Sequence, residues 1–166
     1  MSHIDLGNDL PGIAGLTAYR PETGRPISEL VEVLLRGPGG LPRGERELIA
    51  AHVSELNSCT FCASSHAAFA AAQLPADHVR SPKLDALLAI AAAVVESGRA
   101  VTPELVAKAR ENGATEAEVH DTVLIAAVFC MLNRYVDGLG TWAPDDPAAY
   151  AAMADRIVNH GYTAPR

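Results

Sequence analysis

The chain of 166 residues has few cysteines and no long apolar run, and each shortage excludes a class of protein. Three cysteines are too few for the disulfide framework of a small secreted protein. The longest apolar run, residues 86–95, is well short of the roughly 20 residues that a membrane span needs. No basic stretch leads into an apolar one near the start of the chain, so we expect a cytoplasmic protein without a membrane partner.

Positive charge is also scarce. The sequence has 20 acidic and 13 basic residues, a formal net charge of −7, and no run of Lys or Arg. Because this charge repels phosphate backbones and anionic lipids, neither nucleic acid nor membrane is expected as the main partner. No glycine-rich nucleotide-binding motif is visible, and we expect no organic cofactor. With 49% hydrophobic residues, the chain is long enough and apolar enough for one domain with its own core.

Alternating β-branched residues are missing, whereas helix periodicity and helix caps recur along the chain, which predicts an all-α helical bundle. Residues 1–27 are rich in glycine and proline and are predicted to form an irregular N-terminal arm. Residues 28–166 are predicted to form a single all-helical domain. We expect about seven helices. Their predicted ranges are 28–35, 42–56, 59–73, 82–97, 103–112, 116–136 and about 147–159.

The stretch ELNSCTFCASSHAAFA, residues 55–70, contains a CxxC pair followed by a histidine. At 100° per residue, Cys59, Cys62 and His66 lie within an arc of about 60° on one helix face. Asn57 and Ser58 are predicted to form a tight turn just before this helix, so that Cys59 lies at or near the helix N-terminus. The unpaired N–H groups there favour a thiolate over a thiol, and an imidazole nearby adds a proton acceptor. This pattern is typical of a dithiol redox centre.

The preceding helix offers a partner for this face. Glu47 and Ser54 share one side of it with two alanines, and small residues permit close packing of two helices. If this side packs on the cysteine helix, Glu47 is placed to orient His66 or to exchange protons with it, directly or through water. Ser54 is then a candidate for polar support of the site.

The four residues Glu47, Cys59, Cys62 and His66, spaced Glu-x11-Cys-x2-Cys-x3-His in ERELIAAHVSELNSCTFCASSH, resemble the AhpD-like, or carboxymuconolactone decarboxylase-like, superfamily. The segment AVFCMLNRYVDGLG is similar to the late-helix segment of its peroxidase-related branch, so that the resemblance spans residues 28–140. It implies an AhpD-like bundle that assembles as a homo-oligomer, often a trimer or hexamer. It also implies reduction of a hydroperoxide by a CxxC pair that cycles between dithiol and disulfide.

The resemblance implies a role for each residue of the motif. Cys59 and Cys62 become the redox pair, His66 the general acid/base, and Glu47 the outer member of the proton relay. The electron donor, a protein or a small thiol, is not identified. Which cysteine attacks stays open, because the helix N-terminus favours Cys59 whereas His66 lies one turn after Cys62. Some peroxide-reducing members have histidine where this chain has Phe61, which leaves a general thiol–disulfide oxidoreductase acting on a disulfide substrate as an alternative.

Two other functions compete with the peroxidase. The first is a non-catalytic metal-binding or redox-sensing interaction protein, in which Cys59, Cys62, His66 and a fourth ligand such as Glu47 surround a zinc ion. Structural zinc sites usually draw ligand pairs from two segments, and no second CxxC or HxxxH is present, so no metal is expected. The second is a lactone decarboxylase of the same superfamily, but that branch generally lacks the CxxC. The third cysteine, Cys130, is predicted to be a buried core thiol.

Overall fold

The protein is described here by a computed structural model over residues 2–163, and it is all-helical across that range. It forms a single domain of eight α-helices and one short 3₁₀ turn, Gly98–Ala100, close to the predicted number. The helices are α1 Gly12–Tyr19, α2 Pro21–Arg36, α3 Arg43–Leu56, α4 Thr60–Ala71, α5 Pro82–Glu96, α6 Pro103–Glu111, α7 Glu116–Gly138 and α8 Pro147–His160. The predicted all-α bundle is thereby confirmed. Met1 and residues 164–166, which the predicted division of the chain includes, lie outside the described residues.

The prediction of an irregular arm over residues 1–27 is wrong, because this segment contains α1 and the beginning of α2. Pro21 occupies the first position of α2, where its missing N–H costs nothing. Gly24 lies so close to Thr17 of α1 that a Cβ would not fit. The first predicted helix, 28–35, is thus only the later part of α2, and Ser28 lies inside that helix. Glycine and proline therefore serve packing and helix initiation here, whereas the sequence reading treated them as helix breakers.

Helix caps place the later helices where the sequence predicts them. Thr115 and Glu118 form a reciprocal capping box at the start of α7. Three other helices begin with a side-chain cap followed by proline at the first helical position: Ser81 for α5, Thr102 for α6 and Asp146 for α8. Each cap satisfies a backbone N–H that has no partner within the helix.

Helix α7 runs through the middle of the bundle and packs against α3 and α5. Its residues Ile125 and Phe129 are fully buried in the main core together with Ile49, Val53, Leu84, Leu87 and Ile90 of the other two helices. By length and composition alone α7 could cross a membrane, but half of its most apolar window is buried inside the protein. Its apolar character is that of a core helix, which must bury most of its surface.

The turn between α3 and α4 positions the CxxC motif. After Leu56, Asn57 donates its backbone N–H to Val53, and Ser58 adopts a left-handed conformation with φ 60°. This reversal lets the N–H of Cys59 donate to the carbonyl of Ser54 at 3.0 Å. Cys59 is consequently the N-cap of α4, and α4 packs back along α3.

Candidate functional site

The two cysteines lie together at the start of α4, away from solvent. Both are free thiols; Cys59 is 0% and Cys62 4% exposed. Their side chains are hydrogen-bonded to one another. The residues packed around the pair come from the N-terminal segment, α4, α7 and α8, and they are Leu6, Leu16, Phe61, Val136 and Tyr150. The sulfur atoms therefore occupy a dry, close-packed environment.

This mutual hydrogen bond separates the pKa values of the two thiols. Donation from the side chain of Cys62 lowers the pKa of Cys59, and the backbone N–H of Cys62 acts in the same direction, against burial and the nearby Asp137 carboxylate. The same bond raises the pKa of Cys62, and burial raises it further. The two thiols therefore differ in acidity, and Cys59 loses its proton more readily than Cys62. This difference is expected of a dithiol ready to react.

An amide network behind the sulfurs links α3 to α7. The side chain of Asn133, 1% exposed, hydrogen-bonds Cys62 and thereby lowers the pKa of that thiol. Its Nδ2 also donates to Ser54 Oγ at 3.0 Å, while its Oδ1 accepts from Asn57 Nδ2 at 3.0 Å. Ser54 in turn donates to the carbonyl of Ala50 at 2.8 Å. Ser54 thus supports the site through Asn133.

One turn further along α4, Glu47 and His66 form a buried pair. His66 Nδ1 lies 2.6 Å from Glu47 Oε2. Glu47 is 0% exposed, and its second oxygen, Oε1, accepts a 2.6 Å hydrogen bond from the phenol of Tyr162. An ionised carboxylate only accepts, so with Glu47 in that form it is Nδ1 that donates the proton of the first bond, and Nε2 faces away from Glu47. The close approach of Glu47 to His66 that the helix faces predict is present in the structure.

Aromatic rings fix the orientation of the imidazole. Phe129 of α7 meets it edge-on at a centroid distance of 4.5 Å, and Phe69 does so at 5.2 Å. The ring of Tyr162 lies nearly parallel to it, at 6.3 Å and 15°. The imidazole is thus held by one hydrogen-bond partner and three rings, an arrangement that restricts it to one orientation.

A cavity of about 590 Å³ opens beside His66. Its walls are mostly apolar and come from α1, α2, α4, α7 and α8, with Phe61, Phe69, Phe129, Leu132, Trp142 and Met153 among the lining side chains. Ser65, Tyr162 and Arg156 contribute the polar groups near it. Its volume lies within the range of ligand sites for small organic molecules.

Some expectations about individual residues need correction or addition. Cys130 is only partly buried, with Asn57 Nδ2 at 3.5 Å from its sulfur, and is not the fully buried thiol predicted. The pKa of each site thiol is shifted mainly by the other thiol and by burial, with smaller effects from Asn133 and Asp137. His66 is not among the groups that shift these two pKa values. Sequence reasoning missed Tyr162 altogether. An asparagine at the end of the apolar run in α7 was a usable signal for Asn133; Tyr162 carried none.

The metal site considered from sequence has no arrangement of ligands to match it within residues 2–163. No group of three or more His, Cys, Asp and Glu side chains in that range is placed to hold one ion. Glu47 and His66 are instead hydrogen-bonded to each other, and the two cysteine thiols are hydrogen-bonded to each other.

The all-helical bundle, the CxxC pair at the start of α4, and the contact of His66 with the buried Glu47 agree with the AhpD-like resemblance of the sequence. Residues 21–74, which contain all these groups, match the model of the carboxymuconolactone decarboxylase family. This match and the structural neighbours below support assignment of the chain to the AhpD/carboxymuconolactone decarboxylase-like superfamily.

Two solved structures share this fold. One is an uncharacterized peroxidase-related protein from Silicibacter sp. TM1040, with a TM-score of 0.75, 21% identity, and coverage of 87% of this chain and 80% of the other. The second, from Ralstonia eutropha JMP134, is described as an alkylhydroperoxidase AhpD core and an uncharacterized peroxidase-related protein. Its TM-score is 0.75 and its identity 25%, over 95% of this chain and 83% of the other. No curated protein matches the chain.

Proposed function

We propose that the protein is a thiol-dependent peroxidase that reduces an organic hydroperoxide with the Cys59–Cys62 pair. The observation that carries this proposal is the pair of hydrogen-bonded free thiols at the N-terminus of α4, with the pKa of Cys59 lowered. The peroxidase-related descriptions of the two structural neighbours support the same reaction class.

The reaction proceeds in three balanced steps. The thiolate of the pair attacks the terminal oxygen of ROOH, the O–O bond breaks, and the products are a sulfenic acid and an alkoxide that leaves as ROH once protonated. The second thiol then attacks the sulfenic sulfur, which forms the disulfide and releases water. A dithiol donor, either a protein or two molecules of a small thiol, finally returns two electrons and two protons through a mixed disulfide.

His66 and Glu47 supply proton transfer in this scheme. Nδ1 of the imidazole is occupied by Glu47, which leaves Nε2 to deliver a proton toward the leaving alkoxide and to recover one when the thiolate is regenerated. Glu47 balances the charge of the imidazolium that forms in between, since its carboxylate is fully buried and lies 2.6 Å from His66 Nδ1.

The cavity beside His66 supports an organic hydroperoxide over hydrogen peroxide. Hydrogen peroxide needs little more room than water, whereas this site offers about 590 Å³ with mostly apolar walls. Burial of a hydrocarbon group against such walls contributes about 25 cal/mol per Å² of apolar surface removed from water. Phe61, at the position where some members carry histidine, is part of that apolar wall.

Assembly and location complete the proposal. Large apolar side chains are exposed on α2 at Val33 and Leu30 and on α7 at Met131, surfaces that suit burial between copies of this chain in a trimer or hexamer. We place the enzyme in the cytoplasm, where reducing systems regenerate dithiols. Light scattering of the purified protein reports the number of subunits directly.

Turnover assays test the proposed reaction. The purified protein is given an aryl hydroperoxide, hydrogen peroxide or a low-molecular-weight disulfide, each with a protein dithiol or a small-thiol donor. The proposal predicts catalytic loss of the organic hydroperoxide, with a kcat/KM greater than that for hydrogen peroxide. Reduction of the disulfide alone, with no hydroperoxide consumed, would instead identify a thiol–disulfide oxidoreductase.

A further inference from the structure

Tyr162, near the end of the described chain, contacts the Glu47–His66 pair directly. We infer that Tyr162 is a positioning residue, whose phenol holds the Glu47 carboxylate and so sets the pH at which Glu47 and His66 together take up a proton. The inference deepens the proposed function, on which its activity readout rests. Its basis is the 2.6 Å bond from Tyr162 Oη to Glu47 Oε1, matched by the 2.6 Å separation of His66 Nδ1 and Glu47 Oε2.

The backbone at Tyr162 is fastened separately from its side chain. Its N–H donates to Glu32 Oε2 at 2.7 Å, and Glu32 Oε1 pairs with Arg36 at 3.0 Å. Arg36 also donates to the last carbonyls of α8, those of Ile157 and Val158, at 2.8 and 3.1 Å. The last turn of α8 and Tyr162, two residues after its end, are therefore both anchored to α2.

Gly161 makes this anchoring possible. Its φ of +80° is left-handed, and a Cβ there would lie 2.6 Å from Glu32 Oε2. Only glycine meets both requirements without strain. The turn thus brings one phenol to one buried carboxylate oxygen, and the backbone bond to Glu32 holds it there without help from the hydroxyl.

The surroundings keep the phenol a donor. Burial raises the pKa of Tyr162 well above its usual value, and the negative charge of Glu47 and the hydrogen bond between them raise it further. Tyr162 therefore remains protonated at any pH at which the protein works, and its O–H permanently stabilises the negative charge on Glu47.

Loss of the hydroxyl shifts proton uptake in one direction by two routes. Without it the Glu47 carboxylate is less stabilised, so it accepts a proton at higher pH. Without the hydrogen bond from Tyr162, the negative charge of the Glu47 carboxylate also stabilises the protonated form of the His66 imidazole more strongly. Both routes raise the pH at which the coupled pair takes up its proton.

Other charged groups near the pair are few. Glu32 and Arg36 of α2 reach Tyr162, and Arg156 of α8 lines the cavity. Cys62 is one turn away on α4 itself. From α7, the side chain that meets the imidazole is Phe129, which does not titrate.

The test compares Tyr162→Phe with wild type by two readouts, an NMR titration of the His66 imidazole and the pH profile of hydroperoxide turnover. The variant keeps the ring and the backbone anchors and removes only the donor. We expect the NMR midpoint and the acid limb of kcat to move upward by about one pH unit, the size of one lost hydrogen bond to a charged group.

Tyr19→Phe is the control, because Tyr19 of α1 is 53% exposed and lies outside the site. We expect that variant to leave both midpoints in place even where its melting temperature falls. Lower stability of Tyr162→Phe with both midpoints unchanged would overturn the inference and leave Tyr162 as an anchor only.

A second variant keeps the test decisive should Tyr162→Phe fold poorly. A fluorinated tyrosine at position 162 retains the hydroxyl as a stronger donor, and it is expected to move the NMR midpoint downward; no movement contradicts the inference. The NMR readout needs no turnover. Absence of peroxidase activity in wild type would therefore reject the proposed function while the imidazole titration still decides the role of Tyr162.

Discussion

The two ends of the candidate site, the sulfurs and the imidazole, differ in how they are assembled. The sulfur end is built largely from residues adjacent in sequence: the turn at Asn57 and Ser58 sets Cys59 at the N-cap, and Cys62 follows one turn later. The imidazole end joins His66 to Glu47 of α3 and to Tyr162 at the far end of the chain. Local helix geometry thus determines the thiol chemistry, whereas proton transfer depends on tertiary contacts.

Their surroundings differ as well. The sulfurs are closely packed and hydrogen-bonded to each other and to Asn133. Neither cysteine lines the cavity. His66 lines a cavity with mostly apolar walls. This contrast supports a division of work in the proposed reaction, with electron transfer at the sulfurs, proton transfer at the imidazole, and the organic group of the substrate in the cavity beside it.

The largest expected effect comes from breaking the sulfur end. Cys59→Ser or Cys62→Ser is predicted to reduce hydroperoxide turnover to background, because neither single thiol can close the disulfide. Cys130→Ser is the matched control and should keep the wild-type rate. Retained turnover in both site variants would show that the chemistry lies elsewhere.

Breaking the imidazole end should slow the reaction while leaving the dithiol intact. His66→Gln and Glu47→Gln are each predicted to lower kcat by about a hundredfold or more, the usual contribution of a positioned acid or base. Oxidation of the two thiols by diamide, which needs no such acid, should be unchanged. His78→Gln, on a histidine 3.9 Å from Glu45 and outside the site, controls for loss of a histidine in general.

Asn133, whose amide lies behind the sulfurs, contributes to the stability of the fold. Asn133→Ala is predicted to lower the free energy of unfolding by about 1–3 kcal/mol, because the buried Ser54 hydroxyl loses its donor and Asn57 its acceptor. Chemical denaturation measures this. Asn159→Ala, whose amide bonds only within its own exposed helix turn, should change stability by less than about 0.5 kcal/mol.

The smallest expected effect concerns Asp137, an exposed carboxylate whose hydrogen bond and charge raise the pKa of Cys59 and whose charge also raises that of Cys62. Asp137→Asn is predicted to lower the pKa of Cys59 further, so that thiolate absorbance appears at lower pH as the pH is raised. The shift should shrink in high salt, because exposed charges are screened. Asp85→Asn, on α5, is the control; an equal shift there would rule out a local effect.

The sequence was sufficient for the parts of the fold that follow from local signals. Caps at Ser81, Thr102 and Thr115 and the turn before Cys59 are short-range chemistry, and their predicted positions agree with the structure. It failed at α1 and α2, because a glycine such as Gly24 reads as a breaker until the helix packed against it is known.

The candidate site divides in the same way. The approach of Glu47 to His66 was predictable from two helix faces that carry complementary residues. The bond from Tyr162 to Glu47 was not, because it depends on where the chain returns after α8, and neither periodicity nor spacing encodes that return. The cavity is likewise formed by five helices and has no signature in any one segment.

The most direct test of the account is a single turnover with the reduced protein. One equivalent of an aryl hydroperoxide is added in the absence of any donor, and the thiols and disulfides are mapped by mass spectrometry. The account predicts one alcohol formed, a disulfide between Cys59 and Cys62, and Cys130 still reduced. A disulfide that includes Cys130, or hydroperoxide consumed while both site thiols remain free, would contradict it.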